Sequence, residues 1–234
     1  MITNRTSRDY AEALDRTRGG SFLAVFVLGM GMFSIFLFLT YYLEAGIGYS
    51  PIQAGLSFLS MVGGIVASST MVPSLLLPRV GPRIVISAGF LVSASGMALL
   101  TRLTLDSSYG ANIMPGMILL GLGIGGVMTT AFQGATAGVH HEDAGVASAL
   151  INTSQQVGGS ISTALLTTVA ASAATDYVSS HEPGALTVAQ AGVESYTATL
   201  AWGAGIFVVG AVLAAFLMPN SALAPSEGEP VIAH

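Results

Sequence analysis

The sequence predicts an all-α membrane protein in which six transmembrane helices gather into one bundle. Three observations predict it. Of the 234 residues, 52% are hydrophobic and only 8% are charged, against roughly a quarter charged in soluble domains, which is too little charge to solvate a globular surface. The apolar residues fall into runs long enough to cross about 30 Å of hydrocarbon as helices. Between the runs stand short stretches of Gly, Pro and charged residues, which turn a chain. The lipid bilayer is therefore the first partner the sequence implies.

The first run covers about residues 21–43. Phe22, Phe26, Gly29, Phe33, Phe36 and Thr40 share one face of it at helical spacing. Tyr41 and Tyr42 stand where an interfacial aromatic belt would lie. After the breakers Gly46, Gly48 and Pro51, a second run over about 52–77 carries Gly55, Gly63, Gly64 and Ala67, small residues that let helix backbones approach closely. Pro73 predicts a kink near its end. The basic stretch PRVGPR, residues 78–83, reads as a tight loop. A third run, about 84–103, ends near Arg102, whose long stem can snorkel to the headgroups. The fourth run covers about 112–132, the fifth 145–173 and the sixth 196–218, with Tyr196 and Trp202 near one interface and Pro219 ending it. The polar segment 1–19 reads as a short surface helix, 176–194 as a loop, and 219–234 as a disordered cytoplasmic tail.

Six crossings put both termini on one side. With that side cytoplasmic, Arg5, Arg8, Arg16, Arg18, Arg79 and Arg83 lie inside and Arg102 lies outside, as the excess of basic residues in cytoplasmic loops requires. The expected location is the plasma membrane, multi-pass, with both ends in the cytoplasm.

Several functions find no chemistry here. The seven basic residues are all Arg and make no basic face, which argues against nucleic acid as a partner. No cysteine is present to form a thiolate metal site. His140, His141, Glu142 and Asp143 are metal-ligand types, but adjacent histidines on a helix point apart and no second cluster accompanies them. No metal or cofactor is expected; Asp143 is expected to cap the fifth helix instead. Gly121, Gly123 and Gly126 match the G-x-G-x-x-G spacing, yet they sit inside an apolar run and not after a strand. Gly121 and Gly125, and Gly159 in the fifth run, read instead as helix-packing positions. The cores of the runs hold no His or Asp to activate their many Ser and Thr, so the chain is not expected to be an enzyme.

The fifth run is unusual. At about 100° per residue, Ser148, Asn152, Gln155, Gln156, Gly159, Ser162 and Thr163 fall within roughly a third of the helix circumference, opposite Leu150, Ile151, Val157, Ile161 and Leu165. Amides in a bilayer must face protein or a water-filled path. Asn152, Gln155 and Gln156 can bond neighbouring helices or line a solute path, and one residue can do both.

The stretch DAGVASALINTSQQVGGSISTALL, residues 143–166, resembles the penultimate-helix signature of the fourteen-span drug:proton antiporters of the major facilitator superfamily. FLTYYLEAGIGYSPIQAGLSFL at 38–59, LPRVGPRIVISAG at 77–89 and MPGMILLGLGIGG at 114–126 agree in order and spacing. The resemblance spans about 20–218. It implies one bundle, the C-terminal half, of a proton-coupled multidrug efflux antiporter working by alternating access. The PRVGPR loop is similar to the superfamily's cytoplasmic motif, with Arg79, Gly81 and Arg83 at its basic and glycine positions and Pro78 where the better-formed copy carries Asp. The resemblance further implies that spans one and four face a central cavity, two and five face the other bundle, and three and six face lipid. The amide stripe would then be an inter-bundle surface, and Phe33 and Phe36 would meet a small hydrophobic or drug-like solute or simply pack. Protons are the implied coupling ion, although the helices that usually carry the coupling acids have no counterpart here. The chain is expected to be a fragment of a longer product, to pair with a separate N-terminal transporter half, or to dimerise. The alternative is a non-transporting membrane module with a packing or interaction role.

Overall fold

The computed structural model describes residues 3–219, with side chains from residue 15 onward except at residue 141. Among these residues seven α-helices carry the fold: α1 (Thr3–Tyr41), α2 (Pro51–Ser57), α3 (Leu59–Met71), α4 (Leu77–Leu100), α5 (Met114–Thr136), α6 (Ala144–Ser180) and α7 (Ala185–Leu217). Among the described residues there is no strand. The chain is helical almost throughout because a backbone in hydrocarbon must satisfy every N–H and C=O within its own segment.

Among the described residues, five helical stretches are long and apolar enough to cross a membrane, and one of them, Pro51–Leu100, runs to 50 residues. At 1.5 Å per residue it would reach about 75 Å, more than twice the hydrocarbon thickness. Gly81 divides it, at φ 78° and ψ 166°, a conformation that a side chain would strain. The packing on α5 shows the reversal. Along α3, Met61 meets Gly121 and Ile65 meets Gly125, so the two helices run parallel. Along α4, Gly89 meets Gly123 and Gly96 meets Gly116, so these run antiparallel. The stretch is therefore two crossings, and with the other four helices it makes six.

These crossings form two rows. The front row is α3, α5, α1, α6; behind it α4 packs on α5 and α7, and α7 packs on α1, α4 and α6. Small residues set the spacing, since a Cβ at Gly64 would lie 2.8 Å from the Ile118 carbonyl and one at Gly96 2.7 Å from that of Gly116. Serines face several of these glycines: Ser93 meets Gly123, Ser21 meets Gly134 and Ser34 meets Gly203. The core between the rows holds Leu28, Ile35, Ile86, Phe90, Met97, Ile124 and Phe207, with the Phe90 and Phe207 rings 5.7 Å apart.

Several expectations change. The surface helix expected before the first span is continuous with it in the 39-residue α1. The loop expected over 176–194 is mostly helix: α6 continues to Ser180, α7 begins at Ala185, and Tyr177 Oη donates to Gln190 Oε1 at 2.9 Å across the hairpin. Hydropathy ends there, but nothing breaks the helix until Pro183 and Gly184. The PRVGPR loop shrinks to Gly81 alone within α4. Pro73 stands in a π-helical turn, Val72–Leu76, because proline cannot donate the usual N–H. Tyr42 is no belt residue: it is fully buried, and its hydroxyl donates to the Thr104 carbonyl at 2.6 Å. The expected tail over 220–234 lies outside the described residues.

A start signal also went unread. Ser50 accepts from the Gln53 N–H and the Gln53 side chain accepts from the Ser50 N–H, a capping box with Pro51 at the first turn of α2.

Candidate functional site

The amide stripe of the fifth run lies on α6 and is split by its neighbours. Ile151, Gly158, Gly159, Ser162 and Leu166 are buried, and Gln155 turns inward, its Nε2 donating to Met32 Sδ at 3.7 Å. Ser148, Asn152 and Gln156 are uncovered by protein, continuing along the helix into Ser160 and Thr167. The arc falls this way because α1 covers one side of α6 and α7 the next. The uncovered amides thus lie on the side of α6 turned away from α7. Ile151, expected opposite the polar stripe, sits on the covered side, whereas Leu150, Val157, Ile161 and Leu165 are uncovered.

Phe33 and Phe36 stand beside this ladder on α1, each 42% exposed. The Phe33 ring lies over Gly159, where a Cβ would overlap it. The Phe36 ring stacks on Phe58, which stands between α2 and α3, at 5.0 Å between centroids. Phe58, which sequence periodicity alone did not single out, joins the site because α2 and α3 meet at its position. The arrangement offers aromatic surface and uncharged hydrogen-bond donors and acceptors side by side, without a fixed charge. Such a surface can contact an apolar molecule and still satisfy a few of its polar atoms.

Two of the packing glycines lie elsewhere, and the third lies within the site. Gly121 and Gly125 press against the Met61 and Ile65 carbonyls of α3, and Gly159 sits under Phe33. Arg79 is uncovered, Gly81 buried and Arg83 half-buried. Asp143, expected to cap α6, does not: a 3-10 turn, His141–Asp143, leads into the helix, and the Asp143 side chain makes no capping bond. The uncovered face of α7, by contrast with α6, is Val208, Val209, Val212 and Phe216.

A sequence profile of the Major Facilitator Superfamily matches residues 10–163, more than half of the chain. The chain belongs to the Major Facilitator Superfamily. This major facilitator chain is 42% identical over 214 residues to the puromycin resistance protein pur8 of Streptomyces alboniger, an alignment covering 91% of this chain and 42% of that protein. It is 35% identical over 150 residues to the cephamycin export protein CmcT of Amycolatopsis lactamdurans, covering 64% of this chain and 31% of that one. It is 33% identical over 135 residues to the tetracenomycin C resistance and export protein of Streptomyces glaucescens, covering 58% of this chain and 25% of that protein. The chain thus spans less than half the length of these relatives. It is a multi-pass membrane protein with the two-row bundle described above.

Proposed function

We propose that the chain forms one bundle of an efflux transporter for hydrophobic, antibiotic-like molecules, with the face carrying Phe33, Phe36, Asn152 and Gln156 turned toward the solute path and a second bundle. The observation that carries this reading is the uncovered amide ladder of α6 beside two half-open aromatic rings. A bilayer penalises amides left in lipid, so the ladder needs a polar or protein neighbour that none of the described residues provides. Family membership supports transport, and the names of the relatives support resistance and export as its direction. Ser148 and Gln156 would serve the path or the inter-bundle contact, and Gln155 the packing of α6 on α1. Arg79, Gly81 and Arg83 would form the turn at the cytoplasmic end.

Coupling to protons needs a titratable group at membrane depth. Glu44, in the π-helical turn Tyr42–Gly46 after α1, stands at the opposite end of the bundle from Arg18, so the coupling acid would come from the other bundle. That second bundle is an N-terminal half or a second copy of this chain.

Co-reconstitution with a complementary N-terminal half in liposomes, with a fluorescent dye and an imposed pH gradient, tests this reading. Gradient-dependent dye movement is expected, and Asn152→Leu with Gln156→Leu should abolish it while membrane insertion stays normal. Absence of movement with the complementary half present would reject transport and leave a packing module.

A further inference from the structure

Where α1 enters the bundle, α6 begins and α5 has just ended, an open cavity of about 480 Å³ lies between the three helices. Its wall is divided. Phe22, Val146 and Leu150 line the apolar part, and Arg18, His140 and Asp143 line the polar part. Arg18 is fixed by its Nε–H, which donates to the Ala137 carbonyl at 2.8 Å. That bond uses one of the five N–H groups of a guanidinium. Among the described residues no ion pair joins Arg18 to Asp143, although both face this cavity. Arg16 on α1 and Arg79 and Arg83 at the start of α4 stand at the same end of the bundle, and the apolar runs of both helices lie beyond them, so the cavity sits at the level where headgroups meet hydrocarbon.

A separated cation and anion above an apolar wall complement a molecule with the reverse charges on a hydrocarbon tail. We infer that this cavity seats the headgroup of a zwitterionic aminophospholipid. The phosphate meets the Arg18 guanidinium in a charge-assisted hydrogen bond, the primary ammonium meets the Asp143 carboxylate, and an acyl chain passes over Phe22, Val146 and Leu150. An anionic lipid carries no ammonium of its own to meet the Asp143 carboxylate. A quaternary ammonium headgroup has no N–H to donate to it. The site lies apart from the face that carries Phe36, Asn152 and Gln156 and does not depend on the transport reading.

The test is lipid retention by the full 234-residue chain, purified in detergent and read by native mass spectrometry. Phosphatidylethanolamine, phosphatidylcholine and phosphatidylglycerol with matched acyl chains are offered at equal concentration. Phosphatidylethanolamine should be retained about tenfold more strongly than the other two, the discrimination expected of one charge-assisted hydrogen bond. Arg18→Gln should weaken all three, and Asp143→Asn should bring phosphatidylethanolamine down to the level of phosphatidylcholine without lowering phosphatidylglycerol. Because Asp143 is uncovered and makes no capping bond, that variant carries the test even where Arg18→Gln loses helicity. Equal retention of phosphatidylglycerol and phosphatidylethanolamine by the unmodified chain, failure to retain any of the three, or an unchanged preference in Asp143→Asn would each overturn the proposal.

Discussion

Gly29 and Gly158 face backbone and not side chains: a Cβ at Gly29 would overlap the Gln155 carbonyl, and one at Gly158 the Phe26 carbonyl. A packed backbone cannot rotate aside as the Met218 side chain opposite Gly20 can. Gly29→Leu is therefore expected to destabilise the bundle by about 1–3 kcal/mol, the cost of overpacking a close contact, seen as a lower melting temperature in detergent. Gly205→Ala, where nothing lies within 4 Å, should leave the melting temperature unchanged or raise it slightly, since alanine favours helix over glycine. A change in Gly29→Leu no larger than that in Gly205→Ala would show that the crossing does not set the effect. Gly81 is a different case, because its φ of 78° strains any side chain whatever the space around it. Gly81→Ala should cost about 1–2 kcal/mol, measured as a fall in the folded fraction on gel filtration.

At the scale of one element, α6 places two neighbouring residues in opposite settings. Ile151 is buried and Asn152 is uncovered. Ile151→Ala should cost about 2–4 kcal/mol through lost packing and the cavity left behind, whereas Asn152→Leu should leave the melting temperature unchanged and act only on transport. Thermal unfolding of both variants beside a dye-efflux assay separates the two effects. The polar arc of this helix could be read in the sequence because a 3.6-residue period is a property of the helix alone. Which edge of the arc is covered could not, because that depends on where α1 and α7 lie. The six apolar runs were legible because lipid demands them, and Gly121 and Gly125 because glycine within such a run has little use except close packing. Helix beyond the runs was not legible: Asp176 and Gln190 are polar yet helical, and hydropathy reports where lipid ends, not where hydrogen bonding does. Tyr42 misled for a related reason, since an aromatic near a span end suits either the headgroups or a buried bond to a loop carbonyl.

Across the whole molecule, the alternating helix directions collect Arg16, Arg18, Arg79 and Arg83 at one end of the bundle and leave Arg102 at the other. Retention of basic segments on the cytoplasmic side predicts the orientation. The chain contains no cysteine, so single cysteines report cleanly on it. On intact cells, Asp106→Cys should react with a membrane-impermeant maleimide and Glu142→Cys should not, and the reverse pattern would invert the assignment. The register of α3 and α4 on α5 also bears on how the protein is made. The two helices joined at Gly81 each pack extensively on α5, and the glycines that α3 and α4 present, Gly64, Gly89 and Gly96, meet α5 backbone or side chains. A ribosome that has delivered residues up to 108 has therefore inserted three crossings, two of which have yet to meet their main partner. Nascent chains stopped there should be membrane-embedded yet protease-sensitive, and stopping after residue 140 should make them resistant. Emergence of α5 is then the step at which separate insertions become one folded body.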